Sequence, residues 1–87
     1  MRKLWTDEAW AEYEEWQSED KKTLKKINSL LKDIDRNGYK CTGKPEPLKG
    51  NYAGYWSVRI DDKNRIVFRI FDNNIEIIQC GTHYRDK

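Results

Sequence analysis

Histidine occurs once in these 87 residues, at His83, and cysteine twice, at Cys41 and Cys80. One imidazole cannot build a histidine metal cluster. Two isolated thiols match neither a disulfide framework nor a zinc site. The composition thus points to a reduced protein with two ordinary thiols and no resident metal or cofactor. Long apolar runs are absent, which excludes a transmembrane helix, and Trp5 and Asp7 break any signal-peptide pattern. A cytoplasmic protein with no membrane attachment is the expectation. Net charge is also scarce, at +2 from 17 basic and 15 acidic residues.

That small net charge hides a segregation. Every charged residue from Asp7 to Asp20 is acidic, and from Lys21 onward basic residues lead. A dipolar molecule of this kind can turn its basic part toward a polyanion. The bland alternative is two solvated helix faces that complement each other, and for the helices alone that is the simpler reading. Length implies a single domain over residues 1–87 with a modest core. Charged residues are as frequent as hydrophobic ones at 37%, yet 13% aromatic content argues against disorder. Each large ring buries enough area to compensate for the short chain.

Local patterns predict an α+β fold. Arg2 to Trp5 reads as a strand. Thr6 is a good N-cap, and Asp7 and Glu8 suit the positive end of a helix dipole. Ala9, Trp10, Tyr13 and Trp16 then recur at helical spacing to about Ser18, as an aromatic stripe expected in the core. A second helix starts near Asp20, carries Leu24, Ile27, Leu30, Leu31 and Ile34 on one face, and stops at Gly38. The stretch from Tyr39 to Gly54 reads as a long loop in which Pro45 and Pro47 stiffen the backbone around Glu46.

The last third alternates as three antiparallel strands. A three-residue loop ending in a left-handed Asn64 would pair Ile60 with Ile66, Val58 with Phe68 and Trp56 with Ile70. That register places the apolar residues on one face, under the helical hairpin, and Arg59, Arg65 and Arg69 on the other. Asn73-Asn74 is expected to form a type I′ turn. Unbroken alternation would then leave Thr82, not His83, on the arginine face, so an irregularity is predicted at Gly81.

The residues able to do chemistry are few. His83 is the one side chain whose unperturbed pKa lies near neutrality, although a lone histidine near a chain end is more often a packing residue. Arg59, Arg65 and Arg69 on the sheet, Lys44, Glu46 and Lys49 in the loop, and Tyr84 at the end complete the set. A carboxylate, an imidazole and several cations suit a phosphodiester. Cleavage of RNA by its own 2′-hydroxyl needs a base, cations for the phosphorane charge and an acid for the leaving 5′-oxygen. Taken from residues alone, arginines on an exposed face are usually solvated.

The run Gly43-Lys44-Pro45-Glu46-Pro47-Leu48-Lys49, then Gly54-Tyr55-Trp56-Ser57, Arg59-Ile60, Arg65-Ile66-Val67 and a closing His83-Tyr84, resembles the Txe/YoeB family. Leu4-Trp5, Trp10, Tyr13, Trp16 and Lys25-Lys26-Ile27-Asn28 are similar too. The resemblance spans essentially the whole chain. It implies a RelE-like toxin of a bacterial type II toxin–antitoxin pair: a helical hairpin and N-terminal strand on a small, mainly antiparallel sheet. It further implies a cytoplasmic endoribonuclease that cuts messenger RNA in the A site of the 70S ribosome. A YefM-like antitoxin, homodimerisation and operator DNA contacted through the antitoxin complex are implied as partners. By position, Glu46 resembles the general base, His83 the general acid, Arg65 the transition-state stabiliser and Tyr84 the residue that orients the scissile nucleotide. Lys44, Lys49 and Arg59 resemble substrate-binding residues. The chain departs from the pattern in Arg85-Asp86-Lys87 after the His-Tyr pair, and in Val58 where some relatives carry a basic residue. The competing reading is a non-catalytic RNA- or DNA-binding module that acts with an antitoxin as co-repressor.

Overall fold

A computed structural model describes residues 1–82. Strand β1 (Arg2–Trp5) leads into helices α1 (Asp7–Glu19) and α2 (Lys21–Asn37). A short β2 (Glu46–Pro47) and the strands β3 (Trp56–Arg59), β4 (Asn64–Phe71) and β5 (Asn74–Thr82) follow. The strands form one sheet in the order β1-β5-β4-β3-β2, antiparallel except for the parallel pair β1–β5.

The helix boundaries follow from their caps. Thr6 Oγ1 accepts the Ala9 N–H at 3.1 Å, and the Asp20 carboxylate accepts Lys22 N–H and Thr23 N–H, each at 3.1 Å. These bonds satisfy donors that have no partner inside a helix. Gly38 ends α2 with φ +61°, a conformation that costs a residue without a Cβ little. Ile27, Leu30, Leu31 and Ile34 bury against Val58, Ile66, Phe68, Ile75 and Ile77, which places the core between the helices and one sheet face. Each such side chain, fully buried, contributes roughly 1.5–3 kcal/mol of transfer free energy. From α1 only Ala9 is fully buried, and Trp10 stays 43% exposed. The aromatic stripe is therefore not all core. Trp10 rests at the surface against Trp5 and Tyr13, with ring centroids 5.5 Å away in each case.

Three features of the sheet correct the sequence expectation. The β3–β4 register is Trp56↔Phe68, Val58↔Ile66 and Arg59↔Arg65, two residues from the expected one. An offset of two preserves which face each side chain occupies, so the apolar and arginine sets stay separate. Its cause is Asp61, whose Oδ1 accepts Lys63 N–H at 2.9 Å and Asn64 N–H at 2.7 Å and so centres the turn one residue earlier, closed by Ile60 N–H donating to Asn64 O at 2.9 Å. Asn64 itself is not left-handed. The β4–β5 turn falls on Asp72 and Asn73, with φ +54° and +61°, not on Asn73-Asn74. Both central residues of a type I′ turn need positive φ, which Asp and Asn tolerate.

The third correction is the site of the irregularity. Val67 pairs with Gln79 and Phe68 with Ile77, so Ile78 is an extra residue and the bulge precedes Gly81. Beyond it Ile66 faces Cys80 and Arg65 faces Gly81. The parity change that the sequence required at Gly81 is made at Ile78 instead.

The Tyr39–Gly54 stretch is more ordered than a loop. Besides β2 it holds two single turns of tight helix, Gly38–Lys40 and Gly50–Tyr52. Gly43, at φ +91°, is needed where the chain presses on the core: a Cβ there would sit 3.0 Å from Leu30 Cδ2 and 3.1 Å from Val58 Cβ. No helix among the described residues is long and apolar enough to cross a membrane.

Candidate functional site

The face of the sheet turned away from the helices carries two parallel rows. Glu46 pairs with Ser57, Ser57 with Val67, and Val67 with Gln79. One repeat along, Arg59 pairs with Arg65, and Arg65 with Gly81. Strands lie about 4.8 Å apart and same-face residues recur every ~7 Å along a strand. Glu46 and Arg65 are thus about 10 Å apart across the sheet and about 7 Å along it. A carboxylate and guanidinium at that spacing can both reach one phosphodiester lying between them.

Glu46 is exposed, at the start of the two-residue β2. The strand is anchored at its flanks, because Arg59 N–H donates to Gly43 O at 2.8 Å and Leu48 N–H to Tyr55 O at 2.9 Å. Lys44, two residues before Glu46, is exposed and holds φ +55°, a left-handed conformation that costs a side-chain-bearing residue roughly 1–2 kcal/mol. Lys49 is also exposed, but it follows β2 and starts the Gly50–Tyr52 turn, outside the paired rows. The structure places Glu46, Arg59 and Arg65 on one face and leaves Lys44 and Lys49 on either side of β2, outside the paired rows.

Arg65 is half-buried, and its Nη1 donates to three main-chain carbonyls: Asp61 at 2.7 Å, Asn64 at 3.1 Å and Asp62 at 3.4 Å. It meets Asp61 through the peptide oxygen. The Asp61 carboxylate is instead occupied by Lys63 and Asn64. Partial burial works to raise the Asp61 carboxyl, but the Asn64 and Lys63 hydrogen bonds together outweigh it and hold it below its ordinary value.

Arg69 shares the face of Arg59 and Arg65, as the sequence predicts, but it lies beyond Val67 and is committed to other partners. Its Nε donates to Glu76 Oε1 at 2.6 Å, and its guanidinium lies 4.7 Å from the Phe71 ring centroid and 5.2 Å from that of Tyr55. A cation held by a carboxylate and two rings is a structural element. His83 and Tyr84, named as candidate acid and nucleotide-orienting residue, lie outside the described residues.

The family described as "YoeB-like toxin of bacterial type II toxin-antitoxin system" matches residues 5–84. This chain belongs to that family of toxins. The YoeB toxin of Escherichia coli K12 is 44% identical over 84 residues, covering 97% of this chain and all of that one. Among solved structures, a YoeB/ParE toxin from Agrobacterium tumefaciens superimposes with a TM-score of 0.93 at 44% identity, over 97% of this chain and 100% of its own. A YoeB–YefM complex from Staphylococcus aureus gives 0.89 at 45% identity, over 97% and 98% of the respective chains. A YoeB dimer from the same species also gives 0.89, at 46% identity and the same coverage. The α+β fold read from sequence is the fold of these YoeB toxins.

Sequence reasoning missed several residues of the candidate site. Ser57, Val67 and Gln79 are nearly fully buried on a face expected to be open and solvated. They continue the row of Glu46 across the sheet, beside the arginine pair. No local signal marks them, because their burial depends on four strands meeting. Asp61 was legible in principle, since an Asp side chain readily bonds the main chain two residues on and shapes a turn. Two α1 side chains also act at a distance. Glu12 Oε1 accepts the Cys80 N–H at 2.7 Å, and Trp16 Nε1 donates to Cys80 O at 2.9 Å. β1 pairs with β5 only as far as Ile77. The two side chains thus supply the bonds that a neighbouring strand would give. Burial, with the Glu12 charge adding to it, pushes the Cys80 thiol up to about 12, so this cysteine is not a nucleophile.

Proposed function

We propose that this toxin is an endoribonuclease that stops translation by cutting messenger RNA in the ribosomal A site. The single observation that carries the reading is the shared face of Glu46, Arg59 and Arg65. In the proposed reaction the Glu46 carboxylate takes the proton of the 2′-hydroxyl. The 2′-oxygen attacks phosphorus, and the bond to the 5′-oxygen breaks. His83 gives its proton to that departing oxygen. Arg65 balances the negative charge that grows on the non-bridging oxygens, and Arg59 helps to bind the phosphate. The products are a 2′,3′-cyclic phosphate and a 5′-hydroxyl. Tyr84 orients the scissile nucleotide, and Lys44 and Lys49 hold flanking phosphates. The reaction as proposed calls for no metal or cofactor.

The small catalytic set explains a need for the ribosome. Four or five side chains on a short sheet have little capacity to bend RNA into the in-line geometry. A ribosome holding the message extended would supply that alignment. Lys21, Lys22, Lys25 and Lys26 are exposed along α2 and would meet ribosomal RNA phosphates. The proposed partners are a YefM-like antitoxin, a second copy of the chain and, through the antitoxin complex, operator DNA. A cytoplasmic location in a bacterium follows from the ribosomal target.

The test is a translating extract with a defined message. Cuts within codons bearing 2′,3′-cyclic ends, abolished when ribosomes are omitted, support the reading. Binding of RNA without cleavage overturns it in favour of a co-repressor module, and equal cleavage without ribosomes overturns the ribosomal part.

A further inference from the structure

The Asp61–Asn64 turn is knotted around one side chain. Asp61 Oδ1 accepts Lys63 N–H, Asn64 N–H and Asn64 Nδ2–H, and Oδ2 accepts Asn64 Nδ2–H as well, all between 2.7 and 3.0 Å. The turn is closed from the other side by Asn64 O, which accepts Ile60 N–H at 2.9 Å. Turned inward by this knot, the carbonyls of Asp61, Asp62 and Asn64 converge on Nη1 of Arg65. A guanidinium is planar, so fixing one of its terminal nitrogens on three acceptors fixes the plane of all three.

We propose that Asp61 is a positioning residue for Arg65: by shaping the turn it sets the guanidinium plane so that the Nε–Nη2 edge faces the phosphodiester. That edge offers two parallel N–H donors, the arrangement that grips phosphate oxygens in bidentate fashion. Nη1 serves the turn, and the opposite edge serves the substrate. The pairing of Arg65 with Arg59 makes such restraint necessary, because an untethered guanidinium would swing away from its like-charged neighbour. Asp61 touches no reacting atom in this scheme, and its effect passes entirely through Arg65. This inference rests on the ribonuclease reading above for its functional consequence, but not for its geometry.

Two measurements separate the inference from that reading. The first is a double-mutant cycle on the cleavage rate in ribosome-containing extract. Asp61→Ala is expected to lower kcat by between about 10- and 100-fold with little change in KM, the size expected of a misplaced group. Asp61→Asn, which keeps the Oδ1 acceptor, is expected to retain most of the rate. In an Arg65→Ala background Asp61→Ala is expected to cost nothing further. Additive losses, or an unchanged rate in Asp61→Ala with a preserved melting curve, overturn the proposal. The second measurement is NMR of the Arg65 guanidinium, which needs no activity. Slow rotation about the Cζ–Nη1 bond in the unmodified protein and in Asp61→Asn, and fast rotation in Asp61→Ala, supports the positioning role. Fast rotation in the unmodified protein overturns it. A protein that does not cleave but shows the slow rotation refutes the ribonuclease reading alone.

Discussion

Arg59 and Arg65 stand directly opposite each other across the β3–β4 ladder, two cations on one face with a carboxylate one repeat away. Like charges so placed are unfavourable by a few tenths to about 1 kcal/mol in a sheet. An anion lying across such a pair relieves that repulsion. Arg59→Ala should therefore leave the melting temperature unchanged or slightly raised while lowering cleavage through KM. Calorimetry with and without a short RNA oligonucleotide checks this, because the stabilisation by bound RNA should be smaller in Arg59→Ala. An Arg59→Ala protein that melts lower and cuts normally would contradict it.

The proposed acid and base should behave as a functional pair. Glu46→Ala and His83→Ala are each expected to lose about 10²- to 10⁴-fold in rate, the range for a positioned proton-transfer group. Glu46 is exposed, so its removal should shift the melting temperature by less than about 4 °C. Arg65→Ala should lose about 10²- to 10³-fold as a charge stabiliser. Since Nη1 also holds the turn carbonyls, this variant should melt lower than Glu46→Ala. Primer extension on a translated message reports the rates, and differential scanning calorimetry the melting.

At the far edge of β5 the Glu12–Cys80–Trp16 bonds substitute for a missing strand. Glu12→Leu would leave the Cys80 N–H without its acceptor, at a cost of about 1–3 kcal/mol. Glu12→Gln keeps an oxygen at that position and should recover most of the loss. Hydrogen exchange at the Cys80 amide is the direct readout, with protection expected to fall in Glu12→Leu and to persist in Glu12→Gln. Equal protection in all three proteins would show that the clasp does not hold the edge.

Acid should weaken the fold in part through aspartates that are hydrogen-bonded or paired, Asp61 and three others among them. The Thr42 N–H and Asn37 amide hydrogen-bond Asp33, the amino terminus binds Asp35 at 2.8 Å, and Thr23 bonds Asp20 through side chain and main chain. Each carboxyl is held below its ordinary value of 3.8. A group whose folded pKa is depressed stabilises the fold above the unfolded value, and that stability is lost as pH falls through the folded one. Stability from these groups should thus be complete above about pH 5 and decline below about pH 4. Melting curves between pH 7 and pH 2 test it, and Asp33→Asn should flatten the acid limb. A limb unchanged in Asp33→Asn would exclude that residue from the set.

Much of this fold was legible residue by residue. Thr6, Asp20 and Gly38 mark helix ends because a cap acts within one turn of its own position. The stripe from Ile27 to Ile34 predicts its buried face for the same reason: helical periodicity is local. The separation of apolar and arginine faces on β3 and β4 also survived a two-residue error in register, since strand alternation has a period of two. Glu46 and Arg65 could be named, but not placed on a common face with distances attached.

What tertiary structure decided lies in contacts between distant segments. The parallel pairing of β1 with β5, the pairing of β2 with β3, the surface position of Trp10 and the burial of Ser57 and Gln79 depend on which segments meet. The bulge belongs to this class. Nothing in the run Ile75-Glu76-Ile77-Ile78-Gln79-Cys80 selects Ile78 as the extra residue. The choice is made by Phe68 and Ile77 filling the core on one side while Ile66 and Cys80 fill it on the other. The sequence by itself determined the helices, the two faces and the chemical inventory. Only packing across the sheet decided that Gly81 stands opposite Arg65, because close-packed neighbours select between registers that are locally equivalent.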